Sequence, residues 1–141
     1  MDRERFEDWI SRYERAWRTA GTASLGELFT DDASYSTAPF ERPYVGLEAI
    51  SRLWEAEREG PEELFEIESR VVAVEGATGV ARIEVRYGDP VDREYRDLWV
   101  IILDADGRCR SFEEWPFWPP GSAGTYLPGP SDQDAKGGDD A

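Results

Sequence analysis

Carboxylates that lie among aromatic residues are the groups in this sequence best suited to carry chemistry. Asp97 lies in an alternating, largely apolar segment, and Glu113 and Glu114 lie among aromatic residues in the segment that follows. Two carboxyl groups that share an apolar site raise the pKa of at least one of them, which makes an acid–base pair. Asp97 and whichever glutamate faces the same side are therefore a candidate pair. A structural ion pair, for example with Arg110, is the alternative.

The element that must position these groups is a β-hairpin from Tyr95 to Trp118. Alternate residues of its first strand face opposite sides of the sheet. Beyond the start of the strand both sets are apolar, so neither face is expected to be covered by water. Asp104 to Gly107 supply the turn, where Gly107 can adopt a positive φ. One face predicts a pocket and the other predicts a homodimer interface. The predicted interface residues are Leu98, Val100 and Ile102, with Trp115 or Trp118.

Composition excludes several classes of function. The chain has 141 residues and a net charge of −15, which opposes binding to nucleic acid or to an anionic membrane. No apolar stretch approaches the length of a membrane span. Histidine is absent, which removes histidine-based triads and the common zinc sites. Cys109 is the only cysteine and the N-terminus lacks a signal-peptide pattern, so we predict a cytoplasmic protein without disulfides.

The rest of the chain divides into helices, then strands, then a tail. An apolar stripe with helical spacing predicts a first helix with Gly21 as its C-terminal stop. A capping box from Ser24 to Glu27 predicts a short second helix that ends at Thr30-Asp31-Asp32. The further predicted elements are a strand over 33–37, a helix from 47 that ends at Gly60-Pro61, and strands over 65–75, 78–87 and 95–103. Residues 1–118 form the predicted domain. Residues 119–141 are rich in Pro, Gly and Asp and are predicted to be a disordered tail.

The order of these elements and four short segments resemble the nuclear transport factor 2-like superfamily, in particular its SnoaL-like branch. The segments are Tyr13 to Trp17, Leu28 to Ala33, Tyr44 to Ile50 and Leu103 to Arg108. The resemblance implies an α+β fold in which a curved antiparallel sheet wraps around N-terminal helices, a cystatin-like α+β cone. The superfamily contains isomerases, cyclases, hydrolases and members without any reaction, so the fold does not assign an activity.

The resemblance transfers only in part to the residues of a ketosteroid isomerase. Tyr13 falls at the position of the tyrosine that donates a hydrogen bond to the developing oxyanion. Thr37 falls where those enzymes have the general-base aspartate, and Trp99 falls where they have a second, acidic oxyanion donor. Threonine is no base at neutral pH and the indole donates only an N–H. Steroid isomerisation by that route is therefore not expected.

The resemblance also orients the hairpin, since placing Phe112 inward matches a pocket-lining position and brings Glu114 inward with it. The predicted catalytic residues are Asp97, Glu114 and Tyr13, with Tyr13 as a core residue the alternative. The predicted ligand-binding residues are Trp17, Thr37, Trp54, Phe65, Val85, Tyr87, Tyr95, Trp99 and Phe112. No metal or cofactor is expected, because Asp31-Asp32 is more typical of a turn than of a metal site.

Two functions remain open at this point. The first is a cone that binds a small apolar or aromatic molecule, with or without carboxylate–tyrosine proton transfer near a carbonyl. The second is a module that does no chemistry and uses the fold to dimerise or to bind a partner. An open cavity with polar groups inside favours the first function, and a cone filled by its own aromatic residues favours the second.

Overall fold

The computed structural model describes residues 1–58 and 63–121. Three helices and six strands follow one another along the chain. They are α1 (Arg3–Trp17), α2 (Leu25–Leu28), β1 (Phe29–Ser36), β2 (Tyr44–Val45), α3 (Leu47–Glu57), β3 (Phe65–Glu75), β4 (Thr78–Tyr87), β5 (Arg93–Leu103) and β6 (Cys109–Phe117). The predicted stop at Gly60-Pro61 and the tail beyond residue 121 lie outside the described residues.

The strands form one curved sheet in the order β2-β1-β6-β5-β4-β3, and the helices pack on its concave face. The predicted α+β cone is confirmed, with one difference in the sheet. Strands β1 and β6 run parallel, so the sheet is mixed. A parallel pair needs a long crossover connection, and the segment from β2 to β5 provides it by passing to the opposite edge of the sheet.

Helix α1 begins where Asp2 accepts a hydrogen bond from the backbone N–H of Arg5 at 2.8 Å. The helix ends at Trp17, earlier than the stop that Gly21 suggested, although Gly21 has a positive φ of 80°. The capping box at Ser24 was wrong, because its side chain makes no capping hydrogen bond. The predicted end of α2 at Thr30-Asp31-Asp32 was wrong, because α2 ends at Leu28 and these residues belong to β1. Phe29 caps α2 with an extended backbone that already pairs with Cys109 of β6.

One end of the cone is closed by tight packing between α1 and the sheet. Phe6 is completely buried, and its ring lies so close to Gly79 that a Cβ atom there would be 2.5 Å from ring carbons. Trp9 is buried beside it and donates its indole N–H to the carbonyl of Leu28 at 3.0 Å. The missing side chain of Gly79 is therefore what lets the helix approach the strands. None of the described helices is long and apolar enough to cross a membrane.

The β5–β6 hairpin has the predicted turn. The Oδ1 atom of Asp104 accepts hydrogen bonds from the backbone N–H groups of Asp106 and Arg108 at 2.9 and 3.0 Å, and Gly107 has a φ of 82°. These bonds and the positive φ close the turn. They fix a register in which Trp99 lies directly opposite Glu114.

Candidate functional site

The other end of the cone contains a cavity of about 530 Å³ between the helices and the concave face of the sheet. This size is typical of sites for small organic molecules. Its lining combines aromatic rings with a few polar groups. The lining residues include Tyr13, Trp17, Tyr35, Thr37, Phe65, Ile67, Val85, Tyr87, Tyr95, Trp99, Glu114 and Trp118.

The inner polar end of the cavity contains Glu114. The hairpin register places Glu114 on the concave face beside Trp99, where its side chain is 9% exposed. Asp97 lies on the same face of β5, is 5% exposed, and is within hydrogen-bonding reach of Glu114. The Oδ2 atom of Asp97 accepts the indole N–H of Trp99 at 3.2 Å. Its Oδ1 atom is buried and has no hydrogen-bond donor among the described residues.

These surroundings make Glu114 the proton-carrying member of the pair. Burial raises the pKa of Glu114 well above its usual range, and the charge of Asp97 and their hydrogen bond raise it further. Burial also raises the pKa of Asp97, but the hydrogen bonds from Glu114 and Trp99 oppose that rise. The proton therefore belongs on Glu114, which donates it to Asp97 in a hydrogen bond, and the charge belongs on Asp97.

A pair of tyrosine hydroxyls lies next to the two carboxyls. The hydroxyl oxygens of Tyr13 and Tyr35 are 2.8 Å apart and buried, so one donates to the other. Burial is the largest cause of the raised pKa of each, and the charge of Glu114 adds to both. Both hydroxyls therefore keep their protons, and the one that accepts within the pair has its own O–H free to donate to a polar atom in the cavity.

The mouth of the cavity is a ring of aromatic side chains. Tyr95 packs against Tyr87 and Trp118, with ring centroids 6.3 and 4.7 Å away. The guanidinium of Arg93 lies 4.3 Å from the centre of the Tyr87 ring. Burial raises the pKa of Tyr87 to about 12, so this hydroxyl is also uncharged at neutral pH. The mouth therefore offers aromatic rings, neutral hydroxyls and the guanidinium of Arg93 to an entering molecule. Other charged side chains that line the cavity are Glu14, Glu57, Arg58 and Glu63.

Comparison with known proteins agrees with this architecture. A family model described as SnoaL-like domain matches residues 10–112. The chain belongs to the SnoaL-like domain family. No curated protein matches the sequence.

Three solved structures illustrate how far this SnoaL-like fold is shared. A steroid delta-isomerase from Pseudomonas aeruginosa is 21% identical, with a TM-score of 0.59 over 82% of this chain and 81% of that one. The epoxide hydrolase/cyclase-like enzyme SalBIII, described in pyran ring formation in the polyether salinomycin, is 15% identical, with a TM-score of 0.65 over 82% and 93%. An NTF2-like protein of unknown function from Mesorhizobium loti is 21% identical, with a TM-score of 0.61 over 83% and 95%. At these identities the likeness concerns the fold alone.

Most of the predicted site residues of the SnoaL-like domain line the cavity, and three lie behind its wall. Asp97 is covered by its neighbours, and Trp54 and Phe112 are fully buried against Tyr13, with ring centroids 5.1 and 5.5 Å away. Those that line it are Tyr13, Trp17, Thr37, Phe65, Val85, Tyr87, Tyr95, Trp99 and Glu114. Trp54 and Phe112 support the wall, and their predicted ligand contact would need the wall to move.

Tyr35 and Trp118 line the cavity of the SnoaL-like domain and were not among the predicted site residues. The sequence offered a signal for Tyr35, because it lies two residues before Thr37 and therefore shares its strand face. Trp118 follows the end of β6, where strand alternation no longer fixes a direction. Among residues 1–58 and 63–121, no three cysteine or carboxylate side chains group together as metal ligands.

Proposed function

We propose that this protein is a cytoplasmic binding protein for a small apolar or aromatic molecule, which enters the cone with its polar group toward Glu114. The observation that carries this proposal is the open cavity of about 530 Å³ with Glu114, Tyr13 and Tyr35 at its inner end. A cone built only for stability would be filled by its own side chains, because voids forfeit packing energy. The open space supports binding of a ligand over a role as an inert scaffold.

The walls select the body of the ligand, and the inner end selects its polar group. Trp17, Phe65 and Tyr95 present ring surfaces, so a flat or alicyclic body buries apolar area against them. The hydroxyls of Tyr13 and Tyr35 and the carboxyl of Glu114 are the polar groups at the inner end. Such a division between apolar walls and a few polar groups is typical of small-molecule sites.

A reaction in this cavity would be a proton transfer near a carbonyl, with Asp97, Glu114 and Tyr13 as its catalytic residues. Glu114, the member of the pair that lines the cavity, removes in its ionised form a proton from the carbon next to the carbonyl. The carbonyl oxygen becomes an oxyanion that accepts a hydrogen bond from Tyr13. The same carboxyl then returns the proton to another carbon. The raised pKa of Glu114 supports this role, because a general base works best when its pKa is closer to neutral pH than that of an ordinary carboxyl.

Binding can be tested with a neutral solvatochromic dye and a variant that fills the cavity. Val85 lines the cavity from β4, and Val80 lies on the opposite face of the same strand. Val85→Trp should abolish the dye signal while Val80→Trp, the matched control, retains it. Displacement of the dye by aromatic ketones or alcohols would then rank ligands. Equal binding by both variants, or no binding by the wild type, would refute the proposed function.

A second candidate function, self-association, rests on the outer face of the hairpin. Leu98, Val100 and Ile102 are only partly covered there, and Trp115 is 40% and Phe117 63% exposed. We propose that this face forms a homodimer interface, since an apolar patch of this kind favours association. Trp118 belongs to the cavity and not to this patch, because it packs on Tyr95.

A charge at the centre of the patch tests the dimer. Val100→Asp should give a monomer in sedimentation velocity, because a buried unpaired carboxylate opposes association. Val45→Asp, the same substitution at an exposed residue of β2, three strands away from β5, is the control for the change of charge. A wild type that is monomeric at micromolar concentration would show that the patch does not dimerise.

A further inference from the structure

The pair of carboxyls at the inner end of the cavity lacks a positive partner. No arginine forms an ion pair with Asp97 or Glu114 within residues 1–58 and 63–121. Two arginines line the cavity elsewhere. Arg58 donates to the carbonyls of Ala16 and Gly21 at 3.2 and 2.7 Å. Arg93, on β5, is six residues from Trp99, the register partner of Glu114, which is about 20 Å along a strand. The buried charge of the pair is therefore balanced by hydrogen bonds alone. A charge in this situation is costly unless a cation joins it.

Aromatic side chains line the cavity around Glu114. Tyr13 and Trp99 pack edge to face with centroids 4.7 Å apart, and Tyr35, Tyr87 and Tyr95 line the same cavity. The face of an aromatic ring carries negative charge density and attracts organic cations, most strongly where water is excluded. Aromatic rings and carboxyls thus favour the same sign of charge in a ligand. They disfavour a carboxylate or phosphate, with which no arginine of the described residues pairs at Glu114.

We propose that the natural ligand of this cavity carries a positively charged nitrogen, a protonated or quaternary amine, which binds next to the Glu114–Asp97 pair within the aromatic ring faces. The proposal rests on the proposed function, because it names the polar group of the ligand that the cavity takes. The net charge of −15 adds a long-range attraction for a cation.

The test uses two probes of the same shape, phenyltrimethylammonium and the neutral tert-butylbenzene, with binding followed by quenching of tryptophan fluorescence. The cation should bind about tenfold or more tightly than the neutral isostere, a ratio in the range of desolvated cation–π contacts. Asp97→Asn, which removes the charge of the pair while Glu114 holds its proton, should remove most of that preference. Glu114→Gln, which mimics the protonated carboxyl, should remove the rise of the preference with pH. Glu113→Gln, which changes the residue next to Glu114 on the outer face, should keep both.

The pH dependence of wild-type binding provides a second measurement that does not depend on a variant. The quaternary probe has a fixed charge, so its affinity should rise with pH as Glu114 loses its proton, while that of the isostere should not. The titratable groups that face Glu114 are Asp97, Tyr13, Tyr35, Tyr87 and Tyr95. The tyrosines stay protonated below pH 9 because burial raises the pKa of each.

The outcomes separate this inference from the proposed function. Equal or tighter binding of tert-butylbenzene would overturn the cationic ligand and leave a small-molecule site in place. A cation preference that Asp97→Asn leaves intact would also overturn it, because the pair would not be the counter-ion. Failure of both probes and of the neutral dye would refute the proposed function itself.

Discussion

The two ends of helix α1 meet the same sheet in different ways. At its N-terminal end, Phe6 and Trp9 are fully buried and Phe6 packs onto the backbone at Gly79. At its C-terminal end, Tyr13 and Trp17 border an open cavity. All four residues belong to one apolar stripe, so helical periodicity treats them alike. The residues across from the helix make the difference, since small ones allow close packing and large aromatic and polar ones leave space.

Truncating one residue at each end should give the largest contrast. Phe6→Ala should lower the free energy of unfolding by about 3–5 kcal/mol, because it empties a completely buried site. Trp17→Ala should cost clearly less, since that ring borders the cavity, and should weaken ligand binding instead. Urea unfolding of both variants provides the measurement. Equal losses would mean that the two ends are equally well packed.

A smaller loss of stability is expected for a substitution at Gly79, where the closed end depends on the absence of a side chain. Gly79→Ala should cost about 1–3 kcal/mol, because the new Cβ atom would overlap the Phe6 ring and force a shift. Gly26→Ala is the matched control, as its Cβ would lie at an ordinary 3.6 Å from Leu47 and alanine favours the helix. A neutral Gly79→Ala would show that Phe6 can move without cost.

At the open end, stability should depend on pH through Glu114. Its pKa is raised above the ordinary 4.5, so the folded protein holds a proton that the unfolded chain releases. The free energy of unfolding should therefore fall as the pH rises from 4.5 to the raised pKa, by at most about 1.4 kcal/mol per pH unit for one proton. Glu114→Gln should flatten this dependence in thermal or urea unfolding across that range.

A purely structural role of Glu114 and Asp97 would give a different result. If the pair only holds the hairpin together, Glu114→Gln and Asp97→Asn should lower stability by about 1–3 kcal/mol, the cost of an unsatisfied buried partner. Ligand binding should then be unaffected under conditions where both variants are fully folded. Glu113→Gln again controls for the loss of a carboxylate.

The smallest effect is expected for deletion of the tail. Deleting residues 119–141 should leave the melting temperature within about 2 °C, because a segment rich in Pro, Gly and Asp buries little apolar area. Differential scanning calorimetry of the shortened and full chains provides the comparison. A large drop in the melting temperature would mean that Tyr126 and Leu127 dock on the domain.

Local patterns in the sequence were enough to determine the elements of the fold. The strand spans 65–75 and 78–87 and the turn at Gly107 were predicted as the structure has them, and α1 was predicted from its stripe. Strand alternation also placed Asp97 and Trp99 on one face. These features follow from neighbours along the chain, since the periods of 3.6 and 2 are properties of the backbone. The predicted end of α2 was wrong, because the pairing of β1 with β6 outweighed the local helix signal.

Only the tertiary structure decided which groups meet and where space remains. The register of β5 on β6 brought Glu114 instead of Glu113 to the inside, and a shift of one residue would have reversed that choice. The 2.8 Å contact between the Tyr13 and Tyr35 hydroxyls joins a helix to a strand 22 residues away. Trp54 and Trp17 have the same side chain, yet one is buried core and the other lines the cavity. The cavity depends on how elements that are distant in sequence pack against each other, and local sequence patterns carry no information about that packing.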